Sequence, residues 1–559
     1  MQVCLANGDG YGACAGCGAS GSSGSTGSSG SSGASHSGSG TGSGSGSGDA
    51  GIVPDPTTCA QAEALKSYEG CEFWPTVTAN VVWSGFDFAA VVANTQSVPA
   101  SVTVTGPGGF TTTEVIPANG LTPIYLPWVP ALKGPDVTAT DMTFPSSISV
   151  PQGAYHLVST VPVAVYQFNA LEYQGVGGPP GKVWTGCPNL SATGGCFSYT
   201  NDASVLFPTA AMTGNYRVTG EHGSTLLGGG IVAITGTVDG TSVVVTLSST
   251  AAIVASTAGD IPATAANGTL TLSLNAGDVV ELVGTAADDV DLSGSLIVAT
   301  NPVQVISARQ CADQPDPMAA CDHLESSVLP AETLGQDYVV TVPTSPRQTE
   351  PDGGLSSGAT VIGHVVRFFG NVDGTVLTYS PAPPLGCPST LNAGEVVECT
   401  GTPSCATGIS NDGLSTPIPV TCVTTSFEVK GTHEFAVSSF MLGGSAVDPN
   451  AASGAQEGDP SMSPMVPVEE YRAKYTFLAP TDYEESYADI VAPTGVPITL
   501  DGNLLAVTPT VLNSSWSILR VELGIGQGGA HVLSASKGFG VQVIGYGDYT
   551  SYQILPAST

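Results

Sequence analysis

Short runs in which apolar and polar residues alternate follow one another from residue 73 to the end of the chain. Gly, Pro, Asn and Asp interrupt these runs, which is the pattern of short β-strands joined by turns. One exception is TTCAQAEALKSYEGC, where Thr57 or Thr58 is placed to cap a helix that ends at Gly70. The pattern therefore predicts an all-β protein with one short helix.

One strand pattern recurs four times. PVAVYQF at 162–168 is followed by PVQVISA at 302–308, EFAVSSF at 434–440 and GVQVIGY at 540–546. Both faces of the first copy are largely apolar, which predicts a strand in the centre of its sheet. We expect Pro162 to open that strand, where its missing N–H costs no ladder hydrogen bond. We call these copies the closing strands.

Two further landmarks precede the second and third closing strands in the same order. VDGTSVVVTL at 238–247 matches VDGTVLTYS at 372–380, and NAGDVVEL at 275–282 matches NAGEVVEC at 392–399. This order predicts an internal repeat of about 105 to 140 residues, and the Asp-Gly pairs predict two-residue hairpin turns. A unit of this length favours a two-sheet β-sandwich. The alternative is a β-propeller with two blades per repeat, since one blade needs only about 40–50 residues.

The predicted organisation has seven segments. They are a Cys-containing leader remnant at 1–17, a Gly/Ser-rich flexible linker at 18–50, a short helical Cys hairpin at 51–72, and β repeats at 73–186, 187–320, 321–464 and 465–559. The linker cannot bury a core, so we expect a disordered N-terminal spacer. The leader lacks the basic and apolar regions of a secretory signal, so we expect the true start to lie upstream.

The cysteine spacing indicates an oxidising compartment. Ten of the 13 cysteines lie in local sets, which is typical of disulfide-bonded loops in extracytoplasmic proteins. A zinc site would require paired C-x2-C sets instead. The predicted disulfides are Cys59–Cys71, Cys187–Cys196, Cys311–Cys321, Cys387–Cys399 and Cys405–Cys422. The last two represent one of three connectivities that four clustered cysteines allow.

The chain is strongly acidic, with 46 Asp and Glu against 12 Lys and Arg and a formal net charge of -34. This charge argues against nucleic-acid binding, which needs basic patches, and it would be repelled by an anionic membrane surface. No apolar run reaches the roughly 18 residues of a membrane-spanning helix. We therefore predict neither a nucleic-acid partner nor membrane insertion.

No catalytic or cofactor-binding motif stands out. His156, His433 and His531 precede three of the closing strands at similar offsets, but separate modules would not bring them together, so we interpret them as turn residues. Two acidic clusters are the better candidates for a calcium site: Asp288, Asp289 and Asp291, and Asp482, Glu484, Glu485 and Asp489. Neither has the spacing of a known calcium loop, so no cofactor is predicted.

Four longer stretches carry a recognisable pattern: GCEFWPTVTANVVWSGFDFAAVVAN (70–94), PVAVYQFNALEY (162–173), NDASVLFPTAAMTGNY (201–216) and SVLPAETLGQDYVV (327–340). They resemble the IgGFc-binding protein N-terminal domain family, in particular copies in surface proteins of myxobacteria and related bacteria. The resemblance covers residues 68–556. It implies an extracellular binding or structural module, and it carries no catalytic motif to transfer.

These observations predict an exported, non-catalytic adhesion protein at a bacterial cell surface. It would bind a protein or glycan on another surface, and a signal or lipoprotein motif upstream would direct its export. Two alternatives remain open. One is a secreted glycan-processing hydrolase, which a deep cleft with two carboxylates of shifted pKa would favour. The other is a structural coat or matrix subunit.

Overall fold

The computed structural model describes residues 55–136, 144–185, 196, 198, 200–350, 355–356, 360–410, 417–451, 455–480, 482–523, 529–555 and 557–558. The predicted leader and Gly/Ser-rich linker lie outside these residues. The described chain is all-β, as predicted, and its strands form several separate antiparallel sheets. Among the described residues, no helix has the length and apolar character needed to span a membrane.

We group the strands by chain order into four units. The first unit contains β1 (Gly70–Phe73), β2 (Ala89–Asn94), β3 (Ala100–Gly106), β4 (Phe110–Ile116), β5 (Gly120–Tyr125), β6 (Ile148–Val150), β7 (His156–Asn169) and β8 (Asp202–Leu206). The second contains β9 (Asn215–Arg217), β10 (Gly230–Gly236), β11 (Thr241–Thr246), β12 (Thr269–Leu274), β13 (Val279–Val283), β14 (Leu296–Ala299), β15 (Val303–Ala312) and β16 (Asp322–Ser327).

The third unit contains β17 (Asp337–Val340), β18 (Val365–Gly370), β19 (Thr375–Ser380), β20 (Thr390–Leu391), β21 (Val396–Glu398), β22 (Thr402–Gly408), β23 (Ile418–Cys422), β24 (Phe427–Gly431), β25 (Phe435–Phe440) and β26 (Met462–Pro464). The fourth contains β27 (Arg472–Ala479), β28 (Glu485–Pro493), β29 (Ile498–Leu500), β30 (Asn503–Leu504), β31 (Thr510–Val511), β32 (Trp516–Glu522), β33 (Gly529–Gly547), β34 (Thr550–Ile554) and β35 (Ala557–Ser558).

The helices are short: α1 (Cys59–Leu65), α2 (Pro130–Lys133) and α3 (Gly444–Val447). Helix α1 is the predicted one. Thr58 caps it through a reciprocal hydrogen-bond pair with Gln61, and it ends at Lys66 in the left-handed conformation, a few residues before the expected Gly70. Single 3-10 turns span Pro107–Gly109, Ala331–Thr333 and Val468–Glu470.

The second unit is a two-sheet sandwich. One of its sheets has the strand order β16-β15-β10-β13 and is extended by β6 of the first unit, and the other has the order β12-β11-β14-β9. Side chains from both sheets, such as Ile234, Val245 and Leu272, form one buried core. The third unit repeats the arrangement with β21-β18-β25-β26 and β17-β24-β19-β20, and Phe368 and Phe427 meet in its core. The predicted sandwich-like repeats are therefore present.

The closing strands are central, as predicted. Strand β7 lies between β2 and β8, β15 between β10 and β16, β25 between β18 and β26, and β33 between β28 and β34. The prediction that Pro162 opens its strand is wrong, because β7 begins at His156. The residues before Pro162 pair with β3 and those after it with β2, so proline lies where the strand changes partners and no ladder bond is lost.

The Asp-Gly turns of the second and third units do not close hairpins, contrary to the prediction. Strands β10 and β11 belong to different sheets, as do β18 and β19, so each turn crosses from one sheet to the other. Each Asp-Gly turn is instead hydrogen-bonded to the neighbouring Asn-Ala-Gly turn. Asp239 Oδ1 accepts from the Ala276 N–H at 3.0 Å, and Asp373 Oδ1 accepts from the Ala393 N–H at 2.9 Å. The two landmarks recur together because they contact each other.

A buried tyrosine recurs in the first strand of the last three units, which the sequence analysis missed. Each hydroxyl donates to a backbone carbonyl of the strand that carries the closing pattern of its unit, namely β15, β25 or β33. It also accepts from the backbone N–H three residues earlier. The donor–acceptor pairs are Tyr216 to Val303 (2.7 Å), Tyr338 to Phe435 (2.6 Å) and Tyr475 to Phe539 (2.5 Å). The accepted N–H groups belong to Thr213, Gly335 and Arg472.

The strand that follows each closing strand lies at a common centre. Strands β8, β16, β26 and β34 contact one another in a closed ring. Asp202 of β8 bonds to two other parts of this ring. Its carboxylate accepts from the Glu325 N–H of β16 at 2.9 Å and from the Oγ of Ser461, just before β26, at 2.8 Å. Burial holds the pKa of Asp202 and of Asp322 well above the usual range. The four units therefore pack around shared polar contacts.

The repeat boundaries at 186, 320 and 464 stay a prediction. The strands after the first two boundaries, β8 and β16, pair with the strands before them, β7 and β15. Disulfides join Cys59 to Cys71, Cys311 to Cys321, Cys387 to Cys399 and Cys405 to Cys422. The pair Cys187–Cys196 includes Cys187, which lies outside the described residues.

Candidate functional site

A cavity of about 550 Å³ lies between the first and fourth units. This volume falls within the range of pockets that hold small ligands or side chains of a partner. Its walls are the edge strand β5, the segment that follows β7, and the end of β27. The lining residues are Leu121, Pro123, Tyr125, Leu171, Glu172, Gln174, Val176, Gly177, Gly178, Leu478, Pro480 and Asp482.

The segment after β7 is tied to both units. The Leu171 N–H donates to the Asp87 carbonyl at 2.9 Å within the first unit. The Tyr173 N–H donates to Asp482 Oδ2 of the fourth unit at 2.9 Å. The two units also share one hydrophobic core, in which the Tyr166 hydroxyl donates to the Thr476 carbonyl at 2.9 Å. The cavity walls are therefore held in place by both units.

Among the described carboxyl groups that line this cavity, Glu172 has no close hydrogen bond. The residue is 5% exposed, and neither carboxylate oxygen has a partner at normal hydrogen-bond distance and angle. Burial, followed by the negative charge of Asp87, raises the pKa of Glu172 to about 8, while a looser side-chain hydrogen bond with the Tyr125 phenol acts in the opposite direction. A buried acceptor of this kind is costly unless a ligand supplies the missing donor.

The neighbouring carboxyl groups are already used within the fold. Asp482 Oδ2 accepts from the Tyr173 N–H, and burial raises the pKa of Asp482 to about 6. Glu484 accepts from the Tyr173 hydroxyl and from Gln174 Nε2, the latter at 2.7 Å, and burial raises its pKa to about 7. Both groups hold the segment after β7 in position.

The nearest lysine is also engaged. Lys182 Nζ lies 3.0 and 2.9 Å from the two carboxylate oxygens of Asp87 and 4.6 Å from the centre of the Trp184 ring. Among the described residues that line the cavity there is no Lys, Arg or His. The site therefore combines apolar walls with a buried carboxyl group that has no counter-ion of its own.

The predicted acidic clusters are dispersed into separate internal contacts. Asp288 Oδ1 accepts from the Thr225 N–H at 2.6 Å, and Asp291 contacts Arg367. In the second cluster, Glu485 pairs with Arg347 at 2.5 Å and Asp489 with Arg520 at 2.7 Å, while Asp482 lines the cavity and Glu484 contacts Tyr173 and Gln174. Across the described ranges, no group of three or more His, Cys, Asp or Glu residues is placed to hold a metal ion.

The three histidines at similar sequence offsets lie in separate units. His156 stacks on Trp74 at 4.3 Å between ring centres, and its Nε2 lies 2.7 Å from Glu72 Oε1. His531 Nδ1 lies 2.8 Å from Asp501 Oδ2. His433 is exposed between β24 and β25. The structure does not bring them together.

Sequence reasoning missed Glu172 and Tyr125. Glu172 stands alone in the segment NALEYQG, and a single acidic residue in a loop forms no recognisable motif. Its partner wall comes from residues about 310 positions later in the chain, so only the fold brings the two walls together. The acidic cluster that begins at Asp482 was the one available signal.

Comparison with known proteins identifies the family. A family model described as IgGFc binding protein matches residues 202–545. The human IgGFc-binding protein is 32% identical over 162 residues, which cover 27% of this chain and 3% of the human protein. The chain thus corresponds to a small part of that relative's length.

Two solved structures were also compared. An anti-sigma factor domain-containing protein from Clostridium clariflavum has 12% identity and a TM-score of 0.12, with 69% of this chain and 90% of that chain covered. A tetra-tandem repeat in the extending region of a large adhesion protein has 11% identity and a TM-score of 0.09, with 87% and 99% covered. Neither score supports a structural argument. Because the family model matches more than half of its length, the chain belongs to the IgGFc-binding protein family.

Proposed function

We propose that this chain is an extracellular, non-catalytic binding protein that attaches to a protein on another surface, and that the cavity between the first and fourth units is its contact site. The supporting observation is Glu172, a buried carboxyl group on a cavity wall with no close hydrogen bond and no counter-ion of its own. The local disulfides fit an oxidising extracellular setting. Membership of a family named for binding is consistent with this role.

The use of the other carboxyl groups favours binding over catalysis. Asp482 and Glu484 accept hydrogen bonds from Tyr173 and Gln174 and so maintain the wall. Glu172, whose carboxyl group interacts only loosely with the Tyr125 phenol, then remains to meet a partner.

The test is surface capture by the full chain. Beads coated with the protein are mixed with protein-coated and glycan-coated surfaces, and retention is measured for the wild type and for Glu172→Gln. We expect retention on a protein-coated surface that falls with the substitution. Retention that is unchanged by the substitution would remove the cavity from the proposal.

A glycan-processing hydrolase is the second candidate, because one cavity holds two carboxyl groups with raised pKa values, Glu172 at about 8 and Asp482 at about 6. Glu172 would act as the proton donor. Release of reducing ends from labelled oligosaccharides, abolished by Glu172→Gln, would support this candidate over the first.

A further inference from the structure

We propose that the cavity accepts a lysine or arginine side chain of the partner protein, with the Glu172 carboxylate as its counter-ion. This inference rests on the proposed binding function and adds the chemistry of the group that is recognised. The site would then bind a basic peptide segment rather than a neutral sugar.

The first argument is the state of the carboxyl group. Glu172 lines the cavity, and both of its carboxylate oxygens are buried without a close donor, since the Tyr125 phenol makes only a looser contact. An arginine or lysine supplies several N–H donors together with a positive charge, which is the combination a buried carboxylate needs. The Asp482 and Glu484 carboxyl groups already accept internal hydrogen bonds, so they add negative charge beside Glu172 without competing for the same role.

The second argument is charge complementarity. The chain carries a formal net charge of -34, and Asp548 lies near Glu484 on this side of the molecule. Lys182 is paired with Asp87 and so does not neutralise Glu172. A cationic partner would be attracted to this surface, and an anionic one would be repelled.

The third argument is the shape and lining of the cavity. Lysine and arginine carry their charge on an apolar stem. Leu121, Pro123, Leu171, Leu478 and Pro480 supply apolar walls for such a stem. A volume of about 550 Å³ exceeds that of one side chain, so a neighbouring residue of the partner would enter with it.

Recognition of a cation implies a dependence on pH. The groups around Glu172 are Tyr125 of β5, Asp87 of the segment before β2, Tyr173 of its own segment and Asp482 of the fourth unit. Because the Glu172 carboxyl group keeps its proton until about pH 8, a cation that binds at neutral pH must displace that proton. Affinity for a basic probe should therefore rise as the pH increases from about 6 to about 8.

The experiment uses calorimetric titration of the full chain with two tripeptide probes, acetyl-Leu-Arg-Leu-amide and its citrulline counterpart, which has the same shape without the charge. We expect the arginine probe to bind at least about tenfold more tightly than the citrulline probe. Glu172→Gln should remove most of this preference. The matched control is Glu114→Gln, which neutralises an exposed carboxyl group on β4 away from the cavity.

Glu172→Gln is expected to fold, because glutamine has nearly the shape of the protonated acid that burial already favours. Its melting temperature is measured alongside, and Glu172→Asp serves as a second variant that keeps the charge. Equal affinity for the two probes, or an arginine affinity unaffected by Glu172→Gln, would overturn the inference. Tight binding of neutral chitotriose in the cavity would also overturn it, in favour of a sugar site.

The two proposals can fail separately. If Glu172→Gln reduces capture on a protein-coated surface but neither probe distinguishes charge, the cavity is a contact site of different chemistry and only this inference fails. If the substitution affects neither capture nor probe binding, the cavity has no role in binding and both fail.

Discussion

The Arg367 guanidinium of β18 contacts the Asp291 carboxylate of the preceding unit. Arg367 is almost fully buried, and the carboxylates of Glu221 and Glu398 lie 3.6 and 3.7 Å from it. One cation of the third unit thus neutralises a cluster of acidic side chains that comes largely from the second. In a chain with so few basic residues, the join between these units depends heavily on this single side chain.

Replacing Arg367 with methionine should destabilise the protein by about 3–5 kcal/mol, because Asp291 would remain buried without a counter-ion and Glu221 would lose one of its neighbouring positive charges. Thermal unfolding measures the effect. Adding Asp291→Asn should restore part of the loss. Lys430→Met is the control: Lys430 pairs with Asp337 and Glu428, but its side chain is 55% exposed, so its loss should cost about 1 kcal/mol. Equal losses for the two single variants would contradict the argument.

Stability should fall as the pH rises from about 5 to about 9. Burial raises the pKa of Glu69, Glu281 and Glu457 from the ordinary 4.5 to about 8. The unfolded chain releases these protons near pH 4.5, whereas the folded chain keeps them until about pH 8, so folding takes up protons in this window. Glu221 has the opposite effect on the pH dependence of stability. Although burial raises its pKa, the charges of His222 and Arg367 hold that pKa at about 2, so the stability that ionised Glu221 contributes is lost only as the pH falls from about 4.5 toward 2.

Melting temperatures recorded across this pH range test the prediction. Glu281→Gln should flatten the slope of melting temperature against pH, because it removes one of the titrating groups. The variant should still fold, since glutamine can accept the hydrogen bond that the Ala79 N–H donates at 3.0 Å. The exposed Glu114→Gln should leave the slope unchanged. A melting temperature that is constant or rises between about pH 5 and pH 9 would show that these carboxyl groups are ionised in the folded protein.

The recurring tyrosines should contribute similar amounts to stability. Removing one hydroxyl, as in Tyr338→Phe, leaves the Phe435 carbonyl and the Gly335 N–H without their partner, at a cost of about 1–3 kcal/mol. Tyr216→Phe and Tyr475→Phe should cost about the same, since each hydroxyl makes the same two kinds of hydrogen bond. A large loss in one variant and none in the others would show that the three positions are not equivalent.

The four clustered cysteines should pair as two local disulfides. Peptide mapping without reductant should recover Cys387 with Cys399 and Cys405 with Cys422. Replacing Cys405 and Cys422 together by serine should lower stability by about 2–4 kcal/mol, because that disulfide closes a 17-residue separation in the unfolded chain. Recovery of Cys387 joined to Cys405 or to Cys422 would contradict the assignment.

Local patterns were sufficient for the strands and for α1. The alternation around Val165 and the cap at Thr58 depend on neighbours within a few residues, so the sequence carries them directly. The Asp239-Gly240 turn was misassigned because the Asp-Gly sequence is typical of hairpins, whereas the sheet that each flanking strand joins depends on distant partners. Pro162 was misplaced for the same reason, since its strand changes partners at that point.

The candidate site was less accessible from the sequence. Glu172 and Asp482 approach each other only because the first and fourth units share a core. Nothing in the residues beside Glu172 distinguishes it from an ordinary solvated carboxyl group. The property that matters, burial without a partner, arises from the fold as a whole.

The ring formed by β8, β16, β26 and β34 also constrains how such a protein can change in length. In an open array of repeats, each copy contacts only its neighbours, and copies can be gained or lost one at a time. Here, deletion of one unit would leave two inner strands facing a gap, with groups such as Asp202 and Ser461 separated from each other. We therefore expect such a protein to vary mainly in the loops and cavities around the rim, outside the ring of inner strands.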